Sequence, residues 1–231
     1  MSPEIPEEGT KHAKRSYHHG SLHPALIDAG LALARTGGPS AVVLRAVSRE
    51  AGVSHNAAYR HFANHEDLLA AVGERAMAEL GRLMLHRMAG ITAPDEARLA
   101  QARLAAIGRA YVDFALAEPG WFRTAFSGAT AHPHPPAAGA HPPLPEPPPD
   151  PLPEPPPDPG TDPFLILGAA LDHLVTAGTL PATRRPGAEY AAWSAVHGLS
   201  ALLVDGPLRT LPEAEARRAV ESVLAVVARG L

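Results

Sequence analysis

Cysteine is absent from the 231 residues of the chain, and aromatic residues make up only 5% of them. The protein therefore has no disulfide framework, no thiol nucleophile and no zinc site of the cysteine type. Long apolar runs are also missing, because no stretch reaches the roughly eighteen residues that span a membrane. The segment from Ser2 to Arg15 lacks a signal-peptide core. We expect a cytoplasmic protein that works without a membrane, a metal or a cofactor.

Basic charge is scarce overall but concentrated near the start of the chain. The formal net charge is −4 at pH 7, yet the segment from Lys11 to His65 holds seven basic and two acidic residues, a local charge of +5. A basic segment on an acidic body favours contact with nucleic-acid phosphates. Chance clustering of the charges is the alternative.

Apolar residues recur at helical spacing along most of the chain, which predicts an all-α fold. Glycine and proline end the first helix after Thr36, and Gly52 separates two short helices. Asn64 is expected to cap a long helix. The predicted helices cover residues 22–36, 44–51, 55–62, 65–88, 96–118, 121–126, 164–178, 188–204 and 212–229.

Proline interrupts this helical pattern once. Residues 129–163 hold sixteen of the 26 prolines and repeat the sequence LPEPPPDP, so we predict a disordered insertion there. The other predicted units are a flexible arm at 1–16, a DNA-binding domain at 17–63, a linking helix with the first part of a regulatory domain at 64–128, and C-terminal helices at 164–231.

The most specific motif lies between Leu44 and Leu69 and reads LRAVSREAGVSHNAAYRHFANHEDLL. Its glycine turn, its short helix ending in Tyr-Arg-His-Phe and its Asn-x-Glu-Asp-Leu-Leu cap resemble the DNA-binding domain of TetR/AcrR-family transcriptional regulators. The YHHGSL sequence from Tyr17 and the Trp-x-x-x-His-Gly sequence from Trp193 resemble a subgroup with a C-terminal WHG-type domain. The resemblance implies a three-helix helix-turn-helix domain followed by a helical domain for ligand binding and dimerisation.

A recognition helix presents its first side chains to the major groove, while neighbouring groups hold phosphates. Ser54, His55 and Asn56 are therefore predicted to contact bases. By resemblance Tyr59 and His61 donate to phosphate oxygens, and Arg60, Arg45 and His65 complete the predicted DNA-binding set.

Three positions depart from the family pattern. Val43 stands where a hydroxyl often caps the first short helix, His65 where a lysine usually stands, and Ser48 where alanine is common. Losing a hydroxyl and a charge at each half-site is expected to weaken the salt-dependent part of DNA affinity.

Aromatic residues cluster in the middle of the chain, five of them within sixteen positions. They are predicted to line an apolar ligand pocket, with ordinary core packing as the alternative. The predicted pocket residues are Tyr111, Phe114, Trp121, Phe122, Phe126, Trp193 and His197.

Together these features predict a non-enzymatic, homodimeric repressor that binds a palindromic double-stranded operator and is released by an unidentified small-molecule effector. Three alternatives stay open. The histidines at 12, 18, 19 and 23 would suit a metal sensor. A C-terminal cavity would suit an enzyme that converts a bound ligand. The proline-rich segment would suit an interaction protein that recruits a partner.

Overall fold

The computed structural model describes residues 22–128 and 159–230, and all regular structure within these ranges is helical. This confirms the predicted all-α fold, and the helix ends agree with the predicted ones to within three residues. The α-helices are α1 (Leu22–Gly37), α2 (Leu44–Glu50), α3 (His55–Tyr59), α4 (His65–Ala89), α5 (Glu96–Ala117), α6 (Pro119–Ala125), α7 (Pro163–Thr176), α8 (Ala188–Val204) and α9 (Glu213–Gly230). Single 3-10 turns lie at Pro39–Ala41, Pro159–Thr161 and Ala182–Arg184.

Side-chain caps fix where several helices begin. The Oδ1 atom of Asn64 accepts a hydrogen bond of 2.8 Å from the backbone N–H of Asp67, as predicted for α4. Asp95 caps α5 in the same way, and Asp162 accepts from the backbone N–H of Phe164 at 2.7 Å to start α7. Each carboxylate or amide satisfies an N–H group that has no partner within the helix.

The predicted proline-rich insertion extends too far at its C-terminal end. Residues 159–163 form a 3-10 turn and the beginning of α7, where Pro163 is buried. Proline is tolerated there because a first-turn residue needs no hydrogen-bonded N–H group. Residues 129–158, the predicted arm at 1–16 and the motif from Tyr17 to Ser21 lie outside the described residues.

The first three helices share an apolar core with the beginning of α4. Leu26 of α1, Val47 of α2, Ala58 of α3 and Val72 of α4 are all completely buried. Gly52, at the turn between α2 and α3, has a φ of +69°, a left-handed conformation that favours glycine. This arrangement is a helix-turn-helix followed by a long helix.

The remaining helices pack around α5, which contacts α4, α7, α8 and α9. Tyr111 and Val112 of α5 are almost completely buried. Helix α9 has no buried residue in the single chain, and Val226 is 60% exposed. Tyr190 and Leu202 of α8 are also exposed. No helix in the described ranges is both long and apolar enough to cross a membrane.

Gly120 allows α6 to pack directly on the backbone of α1. A Cβ atom at Gly120 would overlap the carbonyl oxygens of Ala34 and Arg35. We predict that Gly120→Ala lowers the free energy of unfolding by about 1–3 kcal/mol, because backbone atoms cannot move aside as a flexible side chain can. Urea denaturation followed by circular dichroism measures the change.

Gly168→Ala is the matched control, because Gly168 also lies inside a helix and its nearest neighbour would be 3.8 Å from the new Cβ atom. This variant is expected to be unchanged or more stable by up to about 1 kcal/mol, from helix propensity alone. Equal stability of Gly120→Ala and the wild type would show that α6 is not held closely against α1.

Candidate nucleic-acid interface and effector cavity

Helix α3 is anchored by one buried residue and exposes two of its other four residues. Ala58 is its only buried residue, whereas Asn56 and Tyr59 are exposed. Ser54 precedes the helix, and its Oγ atom accepts a hydrogen bond of 3.2 Å from the backbone N–H of Ala57. The cap fixes the beginning of α3, so Asn56 projects from a helix whose position is set by the core.

His55 and Tyr59 form an aromatic pair on α3, with ring centroids 4.6 Å apart in an edge-on arrangement. The Nδ1 atom of His55 is buried without a hydrogen-bond partner. Its Nε2 atom is therefore the ring nitrogen left for an outside contact. The Tyr59 side chain is 49% exposed, and its hydroxyl can donate to an acceptor in solution.

Arg45, Arg49 and Arg60 are exposed in the helix-turn-helix, and no described residue forms an ion pair or a hydrogen bond with their side chains. Most arginines of α4–α9 are paired instead, as in the contact of 3.2 Å between Arg87 and Asp113. Unpaired cations on one small domain favour the binding of an anion. This charge distribution agrees with the basic segment seen in the sequence.

His61 differs from the other predicted phosphate ligands because it lies partly buried against the core. Burial, and then the nearby His23, lower the pKa of His61 below its usual value. The His23 ring stacks on Phe62 with centroids 4.7 Å apart. Neutral His61 can still donate one N–H group to a phosphate, but it contributes less charge than the arginines do.

Of the three departures from the family pattern, only Ser48 forms a side-chain hydrogen bond among the described residues. Val43 stands at the N-cap position of α2 and forms no side-chain cap. Buried Ser48 donates its hydroxyl to the carbonyl oxygen of Leu44, four residues back, at 2.6 Å. His65 is exposed at the first position of α4. The hydroxyl of Ser48 is thus satisfied within its own helix and is not available to DNA.

A second feature is a cavity between α4, α5, α7, α8 and α9, which we call the effector cavity because the sequence predicts a ligand pocket in this domain. Its volume is about 60 Å³. Most of its lining is aliphatic, with Met84, Leu104, Leu174 and Val196 among the residues. The polar side chains at its wall are those of Gln101, Tyr111 and Thr179. An apolar cavity with few polar groups is typical of a small-molecule site.

Tyr111 and His197 form a hydrogen bond with each other beside this cavity. The Tyr111 hydroxyl lies 2.8 Å from the Nδ1 atom of His197. Burial raises the pKa of Tyr111 and lowers the pKa of His197, so both side chains are held neutral. A neutral imidazole can accept a hydrogen bond from the tyrosine hydroxyl at Nδ1. The histidine of the Trp-x-x-x-His-Gly motif is thus a partly buried hydrogen-bond partner.

The structure brings only part of the predicted pocket together. Tyr111 and Trp193 line the cavity. Phe122, Phe126 and His197 pack against these two residues without lining it; the centroids of Phe126 and His197 are 4.6 Å apart.

Phe114 and Trp121, which the sequence predicts at the pocket, do not line this cavity. The Trp121 Nε1–H group donates to the carbonyl oxygen of Leu31 at 2.8 Å, and the Phe114 ring lies beside Trp121. Trp121 therefore joins α6 to α1 of the helix-turn-helix. The sequence showed a cluster of aromatic residues but not the helix against which each one packs.

Two family models match the chain. One, described as the C-terminal domain of tetracyclin repressor-like proteins, matches residues 104–227, which is more than half of the chain. The other, described as bacterial regulatory proteins of the tetR family, matches residues 26–72. The chain belongs to the TetR family. It is a transcriptional regulator with a helix-turn-helix and a helical C-terminal domain, and members of this family are regulators rather than enzymes.

Solved structures share the TetR fold at low sequence identity. A Rhodococcus sp. RHA1 protein of unknown function is 24% identical, with a TM-score of 0.65, covering 94% of this chain and 99% of its own. A TetR variant from Acinetobacter baumannii AYE in complex with minocycline is 18% identical, with a TM-score of 0.57 and coverages of 93% and 96%. A putative regulator from Shewanella sp. PV-4 is 14% identical, with a TM-score of 0.55 and coverages of 90% and 96%.

A search of curated proteins finds no match. Within the described ranges, no group of three histidine, aspartate or glutamate residues is arranged to hold a metal ion. The histidines at 12, 18 and 19, considered for a metal sensor, lie outside those ranges.

Sequence reasoning missed most of the cavity wall. Met84, Leu104, Leu174 and Leu224 come from four different helices, and each follows an ordinary apolar helical pattern. Nothing in a single helix separates a residue that lines a cavity from one that fills the core. The helix contacts had to be known before these residues were identified.

The partly buried pair of Tyr111 and His197 predicts a dependence of stability on pH. The pKa of His197 is lowered in the folded protein, so its stabilising effect is complete above the pKa of the unfolded chain and is lost as pH falls. We expect the free energy of unfolding to fall between about pH 7.5 and pH 5, by up to about 1.4 kcal/mol for each unit by which that pKa is lowered.

His197→Gln keeps an acceptor for Tyr111 but removes the titrating ring, so this variant should show a weaker pH dependence. Some dependence will remain, because burial lowers the pKa of His61 in the same direction. His86→Gln, on an exposed position of α4, is the control and should follow the wild type. Identical pH profiles for all three proteins would contradict the prediction.

Proposed function

We propose that this TetR-family regulator is a cytoplasmic, homodimeric repressor that binds a palindromic operator through α3 and releases it when a small apolar effector enters the cavity. The observation that carries the proposal is the set of exposed arginines that have no partner among the described residues and surround a capped α3 with Asn56 and Tyr59 on its surface. A protein without a nucleic-acid partner has little reason to leave these cations unpaired while pairing most others.

Base contacts are assigned to the beginning of α3. The Asn56 amide can form two hydrogen bonds with adenine, and the free Nε2 atom of His55 can donate to guanine. Ser54 keeps its O–H donor, since its cap uses the oxygen as an acceptor. These three residues lie at the N-terminal end of the recognition helix, the end that approaches base edges in helix-turn-helix proteins.

Phosphate contacts are assigned to the residues around this helix. Tyr59 and His61 donate hydrogen bonds, Arg60 and Arg45 add positive charge, and His65 lies at the beginning of α4, where the helix dipole favours an anion. His65 stands where related sequences usually have a lysine. We therefore expect binding with a moderate salt dependence.

The dimer is assigned to α8 and α9. Val226 of α9 is 60% exposed, and Tyr190 and Leu202 of α8 are 53% and 42% exposed. Large apolar side chains on adjacent helices favour burial against a second copy. Twofold symmetry would place two copies of α3 on the two half-sites of a palindrome.

The effector site is assigned to the cavity at Tyr111 and Trp193. At about 60 Å³ the cavity is far smaller than the 300–1,000 Å³ or so of pockets that hold drug-sized ligands. An effector must therefore displace side chains or helices to enter, which gives it a preference for a different conformation. That preference is the source of any allosteric effect. The minocycline complex of the Acinetobacter protein supports a small-molecule ligand for this domain.

Contacts between α6 and α1 supply a route from the cavity to DNA. Phe122 of α6 packs against Tyr111, and Trp121 of the same helix bonds to Leu31 of α1. Arg35 of α1 forms an ion pair with Glu118 at the junction of α5 and α6, its Nε atom 2.8 Å from Oε2. Movement of α6 by a ligand would therefore turn α1 and the helix-turn-helix with it.

Operator binding tests the proposal directly. We predict that Asn56→Ala weakens binding to DNA from upstream of the protein's own gene by about 1–3 kcal/mol, with little effect on unrelated DNA. Arg60→Gln should weaken binding to the specific DNA and to unrelated DNA alike. It should also reduce the slope of log affinity against log salt concentration by about 1, because one phosphate is no longer neutralised. Fluorescence anisotropy with specific and scrambled duplexes measures both quantities.

Arg98→Gln removes an exposed charge from α5 and should leave both affinities unchanged. Tyr59→Phe, which removes only the hydroxyl, separates phosphate donation from packing against His55. If Asn56→Ala retains the wild-type preference for the specific duplex, α3 does not contact its bases and the assignment is wrong.

A further inference from the structure

A second depression lies on another part of the surface formed by α4, α5 and α7. We call it the α4–α7 groove, and its volume is about 470 Å³. It is separate from the effector cavity, since none of its lining residues lines that cavity. The residues that define it are Leu85, Met88, Arg103, Leu165, Ala169 and His173.

The walls of the groove are apolar and open to solvent. Leu165 is 55% exposed and Leu85 is 37% exposed, although large aliphatic side chains gain free energy from burial. The volume lies within the range of roughly 300–1,000 Å³ that is typical of small-molecule sites. The groove can therefore hold a hydrocarbon group without any rearrangement of the helices.

Arg103 sets this groove apart from other apolar surface. It is the only arginine in the described ranges that is neither exposed nor engaged in a hydrogen bond or ion pair. Arg109, further along α5, forms two bonds of 2.7 Å with Glu221. Arg103 is partly buried and has no counterion among the described residues, so the N–H groups of its guanidinium are available to an added anion.

His173 is the other titratable residue among those that line the groove, and it already has a partner. The Nε2 atom of His173 lies 2.6 Å from the Oε1 atom of Glu96. Glu96 forms no ion pair with Arg103. The groove thus combines one unpaired cation with an apolar surface.

We propose that the α4–α7 groove binds a single-chain amphipathic carboxylate, with the carboxylate on Arg103 and the hydrocarbon chain along Leu85, Leu165 and Ala169. The planar guanidinium can bond to both oxygens of a carboxylate, which an ammonium group cannot do with the same geometry. The apolar wall excludes small inorganic anions as the preferred ligand, because they would leave it in water. The site is independent of the operator contacts and of the effector cavity.

Dodecanoate, below its micelle concentration, is the probe for isothermal titration calorimetry with the full-length protein. Arg103→Gln should weaken its binding by about tenfold or more, because a charge-assisted bond is removed. Arg103→Lys should retain part of the affinity. Ala169→Trp fills the exposed wall and should abolish binding, whereas Arg98→Gln, on the same helix as Arg103 but outside the groove, should match the wild type. Circular dichroism confirms that each variant is folded.

Three results would overturn the proposal. Dodecyltrimethylammonium binding as tightly as dodecanoate would show that Arg103 does not select the head group. Unchanged affinity in both Arg103→Gln and Ala169→Trp would place the ligand elsewhere, for example in the effector cavity. A shift from dimer to monomer in Ala169→Trp, measured by light scattering, would identify the groove as a contact between two copies. None of these experiments involves DNA, so their failure leaves the operator assignment untouched.

Discussion

The burial of one face of α4 holds the two halves of the molecule together. Leu68 and Val72 of this 25-residue helix are completely buried beside α1–α3, while Leu80 and Met84 are buried among the C-terminal helices. Burial of each such side chain contributes roughly 1.5–3 kcal/mol, so neither end of α4 separates easily from its core. Because the helix is continuous, a displacement beside Met84 at the cavity also moves the end that follows the recognition helix.

Helix α6 is a second and shorter connection, and its chemistry differs from that of α4. Gly120 brings the α6 backbone against the end of α1, where the Trp121 indole and the Glu118 carboxylate each find a partner. Hydrogen bonds and ion pairs depend on direction, so they resist the sliding of α6 along α1 more than aliphatic contacts would. Two connections, one apolar and one polar, make the orientation of the helix-turn-helix depend on the helices around the cavity.

The sequence could predict features that local spacing determines. Helical period, the Asn64 cap and the glycine turn at Gly52 all act within a few residues, and each is found in the structure. Features that join distant segments were not predictable. Trp121 is close in sequence to Tyr111, and this closeness led to the prediction that Trp121 lines the pocket. The Trp121 indole instead donates a hydrogen bond to Leu31, which lies 90 residues away in the chain. Likewise, an aliphatic residue such as Leu224 lines the cavity only because α9 packs across α5 there.

The arginines of the C-terminal domain and those of the helix-turn-helix differ in whether they have a charged partner. In the C-terminal domain, arginines join helices, as Arg109 does with Glu221 across 112 residues and Arg123 with Asp205 across 82. Such pairs hold charge in fixed positions, and they keep it from attracting ligands. The exposed arginines of the helix-turn-helix have no such partners among the described residues, so their charge acts on whatever anion approaches. Arg103 follows the second pattern although it belongs to the C-terminal domain. Its position beside an apolar groove determines the kind of anion that would suit it, since a polyanion such as DNA would leave the leucines in water, whereas an amphipathic carboxylate would cover them.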